Sequence, residues 1–284
     1  MKIFFVFVCL FHFALPLQAG EDNASVWAHS HNTSMRLIAG SPLKGSIAHN
    51  SPVLRAGIEI KLAPNFKTYW RTPGESGVAP QISFDGSQNL KSAEVLFPAP
   101  HIFKDKTGTA IGYKNHVIWP IHAQAQDATK PVILNIKFDY GVCEKICIPA
   151  SGTAKIALGL KKSTEFDTQI SASEAHVPEK LNLGEGKGIS ITKVSETVVE
   201  NNHATFIVDV AGSEFVDILP EAKPDSWYLE AQPINSKGSQ FKITVFDPQS
   251  ARHAVPCDIS LTALQGSKGI EVPIRLAGCL DKGE

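Results

Sequence analysis

Cys143 and Cys147 stand with three residues between them in the stretch Asp139-Tyr140-Gly141-Val142-Cys143-Glu144-Lys145-Ile146-Cys147-Ile148-Pro149-Ala150. Thiols at this spacing close on each other, and each resolves a mixed disulfide formed by its neighbour. As a staple the bond is a poor choice, because a loop of about five residues contributes only about 2 kcal/mol in the chain-entropy account. As a reagent it is well arranged, since the second thiol is always at hand. Zinc is the weaker reading, because no second ligand pair at similar spacing accompanies the first. Lys145 between the cysteines favours a thiolate, and Glu144 opposes it. Pro149 lacks a backbone donor and fixes the exit from the loop.

The residues around the cysteines read as strands. Val132–Tyr140 places Val132, Leu134, Ile136 and Phe138 on one face, and Ala154–Leu158 returns after the cysteines. Leu54–Leu62 alternates in the same way, with Ala56, Ile58, Ile60 and Leu62 opposite Arg55, Gly57, Glu59 and Lys61. Met35–Gly40, Gln81–Phe84, Ala93–Phe97 and His116–His122 are further short strands, with turns such as Thr72–Gly77 between them. The pattern predicts an antiparallel β-sandwich over residues 35–160. Residues 161–188 read as a linker, in which Phe166–Ala175 forms one or two helical turns. Residues 189–284 read as a second, smaller β-sandwich built from Ile189–Val194, Ala204–Val210, Trp227–Ala231, Phe241–Phe246, Asp258–Leu264 and Ile270–Ile274. Residues 20–34 are polar and without period, and are expected to be a disordered lead-in.

Residues 1–19 read as an export signal: Lys2, an apolar run from Ile3 to Leu15, Pro16, and a small Ala19 before Gly20. The run is too short to span a bilayer comfortably, so a cleaved, soluble, periplasmic protein is expected. Cleavage removes Cys9 and leaves Cys143, Cys147, Cys257 and Cys279 for an oxidising compartment. Of the three pairings we favour Cys143–Cys147 and Cys257–Cys279, because each is local. The second loop, of about 23 residues, is worth about 3.4 kcal/mol in the same account, and is the better structural disulfide.

A net charge of −1 and the lack of a basic block argue against nucleic acid. No Ser/His/Asp arrangement, phosphate-cradling glycine loop or paired carboxylates stand out. His101, His116 and His122 share the cysteine domain and, with Cys143 and Cys147, are the alternative of a copper or zinc site. They are scattered, so neither a metal nor a cofactor is expected.

The series Tyr69-Trp70-Arg71-Thr72-Pro73-Gly74-Glu75-Ser76-Gly77-Val78-Ala79-Pro80, Leu96-Phe97-Pro98-Ala99-Pro100, Ile111-Gly112-Tyr113 and Tyr140 to Ala150 resembles the N-terminal periplasmic domain of the DsbD thiol:disulfide interchange proteins, in the branch that includes the copper-sensitivity suppressor ScsB. The resemblance covers about residues 35–160. It implies an immunoglobulin-like sandwich with Cys143 and Cys147 as the redox pair, Cys147 attacking and Cys143 resolving. It also implies partners: a membrane thiol:disulfide reductase or thioredoxin-like domain on one side, and periplasmic disulfide proteins on the other. The chain, which runs to Glu284, shows no membrane domain of its own, so a separate reductase is expected.

Tyr69, Trp70 and Tyr140 are expected either to wall the sulfurs or to lie in ordinary core. The stretch Lys104–Thr109, where the family carries a shielding aromatic, has none, and Phe103 would substitute. The leading expectation is thiol:disulfide exchange without a cofactor. The alternative is a non-catalytic binding module, for a protein partner or copper, with a structural short disulfide.

Overall fold

A computed structural model describes residues 23–43, 52–105, 108–159, 164–200, 203–212, 215–223, 227–246 and 258–276. The expected signal sequence and Cys257–Cys279 bond lie outside these residues.

The first sandwich packs two sheets face to face. One runs in the order Ala28–Ser30, Thr33–Leu43, Val53–Leu62, His116–Ala125, Leu90–Val95. The other runs Cys147–Leu158, Val132–Cys143, Lys67–Tyr69, Gly108–Lys114, His101–Asp105, with Gln81–Ser83 also on Val132–Cys143. All these pairings are antiparallel. The period-two apolar pattern explains the packing. Val132, Leu134, Ile136, Phe138, Tyr140 and Val142 all point into the core, where Phe138 stacks on Tyr140 and meets Trp119 edge-on. Each such side chain removed from water contributes about 1.5–3 kcal/mol.

The strand Val53–Leu62 is buried on both faces, although its outer face carries Arg55 and Glu59. Charges sit there because each is paired. Arg55 donates to both carboxylate oxygens of Glu174, at 3.0 and 2.6 Å. Glu59 accepts from Arg36 at 2.7 Å and meets His116 at 3.0 Å.

Two expectations need correction. Part of the segment expected to be disordered, from Asn23 to Ser34, is ordered. Ala28–Ser30 pairs with Thr33–Met35 through a tight turn in which Asn32 adopts φ 58°, and Trp27 lies under Arg36 and Lys61. An edge strand of three residues has no apolar alternation to betray it. The expected linker is also structured where it is described. Its helix, Asp167–Glu174, buries Phe166 and Ile170 against Ile38 and Ile118 of the first sandwich. Further along, Glu179–Lys180 already pairs, in parallel, with the strand Lys268–Arg275 of the second sandwich.

That second sandwich contains the sheet Glu179–Lys180, Lys268–Arg275, Asp258–Gln265, Asp217–Lys223. It packs on a sheet formed by Ser190–Val194, His203–Ala211, Gln240–Phe246 and Tyr228–Pro233, with Val198–Glu200 paired to His203–Ala211. Its core centres on Phe206, Ile243, Leu261 and Val272. The two sandwiches touch. Leu219 and Leu264 join the first core, and Arg71 reaches across to Glu221 and Glu271.

Candidate functional site

Cys143 ends one strand of the cysteine hairpin and Cys147 begins the next; they are the last register pair before the turn Glu144-Lys145-Ile146. They are bonded, with Cα atoms 4.1 Å apart. The two sulfurs are not equivalent. Cys143 is 2% exposed, whereas Cys147 is exposed, beside an Ile146 that is 77% exposed. The cause is local: alternation carries Val142 into the core and Cys143 to the outer face of the sheet, where other side chains cover it.

That cover is a small cluster of Tyr69, Ala110 and Cys143, with Phe103 packed on it. Tyr69 comes from the short strand Lys67–Tyr69, held against the cysteine strand by the Cys143–Lys67 register and by Thr68 Oγ1, which donates to the Gly141 carbonyl at 3.0 Å. The Tyr69 hydroxyl lies 3.1 Å from Cys147 Sγ. Gly141 makes this possible. A Cβ there would stand 3.0 Å from Tyr69 Cε2 and 2.9 Å from Val78 Cβ.

Of the four aromatic residues expected at the sulfurs, Tyr69 and Phe103 are there and two are not. Trp70 points into the main core, with the Arg71 guanidinium 4.4 Å from its ring centre. Tyr140 also points inward, and its hydroxyl shares a 3.0 Å hydrogen bond with Thr33. The period of two separates Tyr69 from Trp70, and Cys143 from Tyr140, onto opposite faces. Burial raises the Tyr140 pKa, and the Thr33 contact only partly offsets it.

Sequence reasoning missed two lysines. Cys143, Lys67 and Lys114 form one register row across three strands. The Lys67 and Lys114 ammonium groups lie 5.6 and 4.6 Å from the Phe103 ring centre. The strands that carry Lys67, Lys114 and Phe103 are short and close to Pro and Gly, and no periodicity marks them in the sequence. The histidines sit apart: His116 on Glu59, His122 on Glu174 at 2.8 Å, and His101 6.2 Å from the Phe103 ring. Among the described residues no group of three His, Cys, Asp or Glu side chains converges as metal ligands.

A half-buried cysteine pair at the mouth of a hairpin, on an immunoglobulin-like sandwich, is the layout of a thiol:disulfide interchange module. Residues 43–158 match the family model described as "Thiol:disulfide interchange protein DsbD, N-terminal". The fold of the whole resembles the crystal structure of the N-terminal periplasmic domain of ScsB from Proteus mirabilis, with 21% identity and a TM-score of 0.66, over 89% of this chain and 98% of that one. At that identity the likeness speaks for the fold. A search of curated proteins found no match. Among the described residues no helix is long and apolar enough to cross a membrane.

Proposed function

We propose that this chain is an exported thiol:disulfide interchange protein that passes electrons between a membrane reductase, or its thioredoxin-like domain, and periplasmic protein disulfides. The observation that carries the reading is the asymmetry of the pair, an exposed Cys147 bonded to a buried Cys143. In the reduced state the Cys147 thiolate attacks a partner disulfide. A bond forms between Cys147 Sγ and one partner sulfur, and the other partner sulfur leaves as a thiolate. Cys143 then attacks Cys147 Sγ, closes the internal bond and releases the first partner sulfur. Two electrons have moved to the partner, and the reductase returns them by the reverse route.

Tyr69 serves this cycle as a donor. Its hydroxyl is within hydrogen-bond reach of Cys147 Sγ and favours the thiolate over the thiol. Phe103 keeps water and competing thiols off Cys143, so that mixed disulfides form at Cys147. The second sandwich, whose first strand is Glu179–Lys180, supports the first through Arg71.

The test is trapping. With Cys143→Ser, Cys147 is expected to accumulate mixed disulfides with a thioredoxin-like partner. With Cys147→Ser none should form, and the fold should survive both changes. The reduction potential decides against the alternative of a binding module. A potential below about −300 mV is typical of structural bonds and would sink the exchange reading. That alternative has one observation in its favour, a cleft of about 680 Å³ between the sandwiches, lined by Ile102, Lys104, Ile218, Trp227, Tyr228 and Leu229.

A further inference from the structure

We propose that the surface through which Cys147 meets its partners is an apolar centre with a basic rim. The partner it fits is a protein that presents its reacting thiol from an apolar face edged with carboxylates. This rests on the exchange reading above and names the chemistry of the partner.

The centre is visible around the exposed sulfur. Ile146, in the turn between the cysteines, is 77% exposed. Val78, which packs over Gly141 beside the Tyr69 ring, is 47% exposed. Neither location is needed for the core, which lies on the opposite face of the sheet. Exposed aliphatic side chains next to a reactive sulfur are what a partner covers while a mixed disulfide forms.

The rim comes from register. The row Cys147, Cys143, Lys67, Lys114 runs across four neighbouring strands, so both lysines stand on the face that holds the sulfurs. Directly opposed residues on neighbouring strands have Cβ atoms only about 5 Å apart. Lys114 leans its ammonium to 4.6 Å from the ring centre of Phe103, the residue that covers Cys143. Lys145, in the turn, adds a third positive charge, and Glu144 is its one acidic neighbour there. Asp139, on the same strand face as Cys143, is met by Lys137 at 3.4 Å, so beside the sulfurs Lys114 and Lys145 against Glu144 leave an excess of positive charge. It attracts an acidic rim and repels a basic one.

The chemistry balances with two thiols and the protein disulfide. One incoming thiolate attacks Cys147 Sγ, the Cys147–Cys143 bond breaks, and its electron pair stays on Cys143. A second thiolate attacks the sulfur of the first, which releases the Cys147 thiolate and one disulfide of the attacking thiol.

The experiment measures second-order reduction rates, per thiolate, of the oxidised protein by three blocked pentapeptides: Asp-Leu-Cys-Leu-Asp, Lys-Leu-Cys-Leu-Lys and Ser-Gly-Cys-Gly-Ser. The acidic apolar peptide should be the fastest and the basic one the slowest. In a Lys114→Gln, Lys145→Gln protein the acidic-to-basic ratio should fall on the order of tenfold at low ionic strength. At about 1 M salt, where the Debye length is about 3 Å, the wild-type ratio should collapse in the same way. Equal rates for the acidic and basic peptides, or a ratio that the two substitutions leave unchanged, would overturn the proposal while the exchange reading stands. Failure of all three peptides to reduce the folded protein would overturn the exchange reading itself, and this proposal with it.

Discussion

The Tyr69 hydroxyl lies 3.1 Å from Cys147 Sγ, so a buried phenol reaches the one exposed sulfur of the pair. A Tyr69→Phe change keeps the ring and removes only the donor. A hydrogen bond of this kind is worth about 1 kcal/mol, which is about fivefold in an equilibrium constant. The Cys147 thiol pKa should rise in the reduced variant, and its alkylation near neutral pH should slow by about that factor. Iodoacetamide rates against pH read both effects. An unchanged profile would remove Tyr69 from the chemistry.

Gly141→Ala should act on the same contact from below. The new Cβ would meet Tyr69 and Val78 at about van der Waals overlap, 3.0 and 2.9 Å. Overpacking of this kind costs about 1–3 kcal/mol. Urea unfolding should show that loss. The Tyr69 ring should shift away from Cys147, so the alkylation profile should move in the same direction as in Tyr69→Phe.

Arg71, two residues beyond the strand Lys67–Tyr69, links the cysteine sandwich to the second one. Its guanidinium donates to both oxygens of Glu221, at 2.9 and 2.6 Å, and pairs with Glu271 as well. Arg71→Ala leaves two carboxylates of the second sandwich without their shared cation at a partly buried seam. Breaking a buried pair costs about 3–5 kcal/mol, and partial exposure lowers the expectation to about 2. Calorimetry should show the two sandwiches beginning to melt separately in this variant.

The helix Asp167–Glu174 should let go in acid. Burial works against the charge of Glu174, but hydrogen bonds and charge from His122 and Arg55 outweigh it and hold the carboxyl below its usual range. A depressed carboxylate contributes stability that is fully present above its unfolded pKa, about 4.3, and lost as pH falls through the folded value. The Ile170 methyl signals, buried against Ile38 and Ile118, should therefore report undocking only below about pH 4. In Glu174→Gln this acid step should shrink, because the titrating group is gone.

Much of the framework was legible. Val132–Phe138 announces its buried face, because alternation is written in the residues themselves. Cys143 and Cys147 announce a local bond by spacing. The aromatic wall was only half legible. Tyr69 and Trp70 are equally plausible neighbours of sulfur by composition, and only the direction of the pleat sends Tyr69 outward and Trp70 inward. The helical turn itself was legible at Phe166–Ala175, but its docking on the first sandwich was hidden for another reason. Its hold depends on Arg55, more than a hundred positions earlier in the chain.

By itself the sequence determined the all-β class, the short cysteine loop and the family resemblance over residues 43–158, since these rest on period, spacing and local motif. Tertiary structure alone decided which sulfur is exposed, that Tyr69 and Phe103 rather than Trp70 and Tyr140 attend the pair, and that Lys67 and Lys114 stand in its row. The physical reason is that cross-strand register is a long-range property. Residues far apart in the chain become neighbours only once the strands pair, and a shift of one residue would turn each of these side chains to the other face.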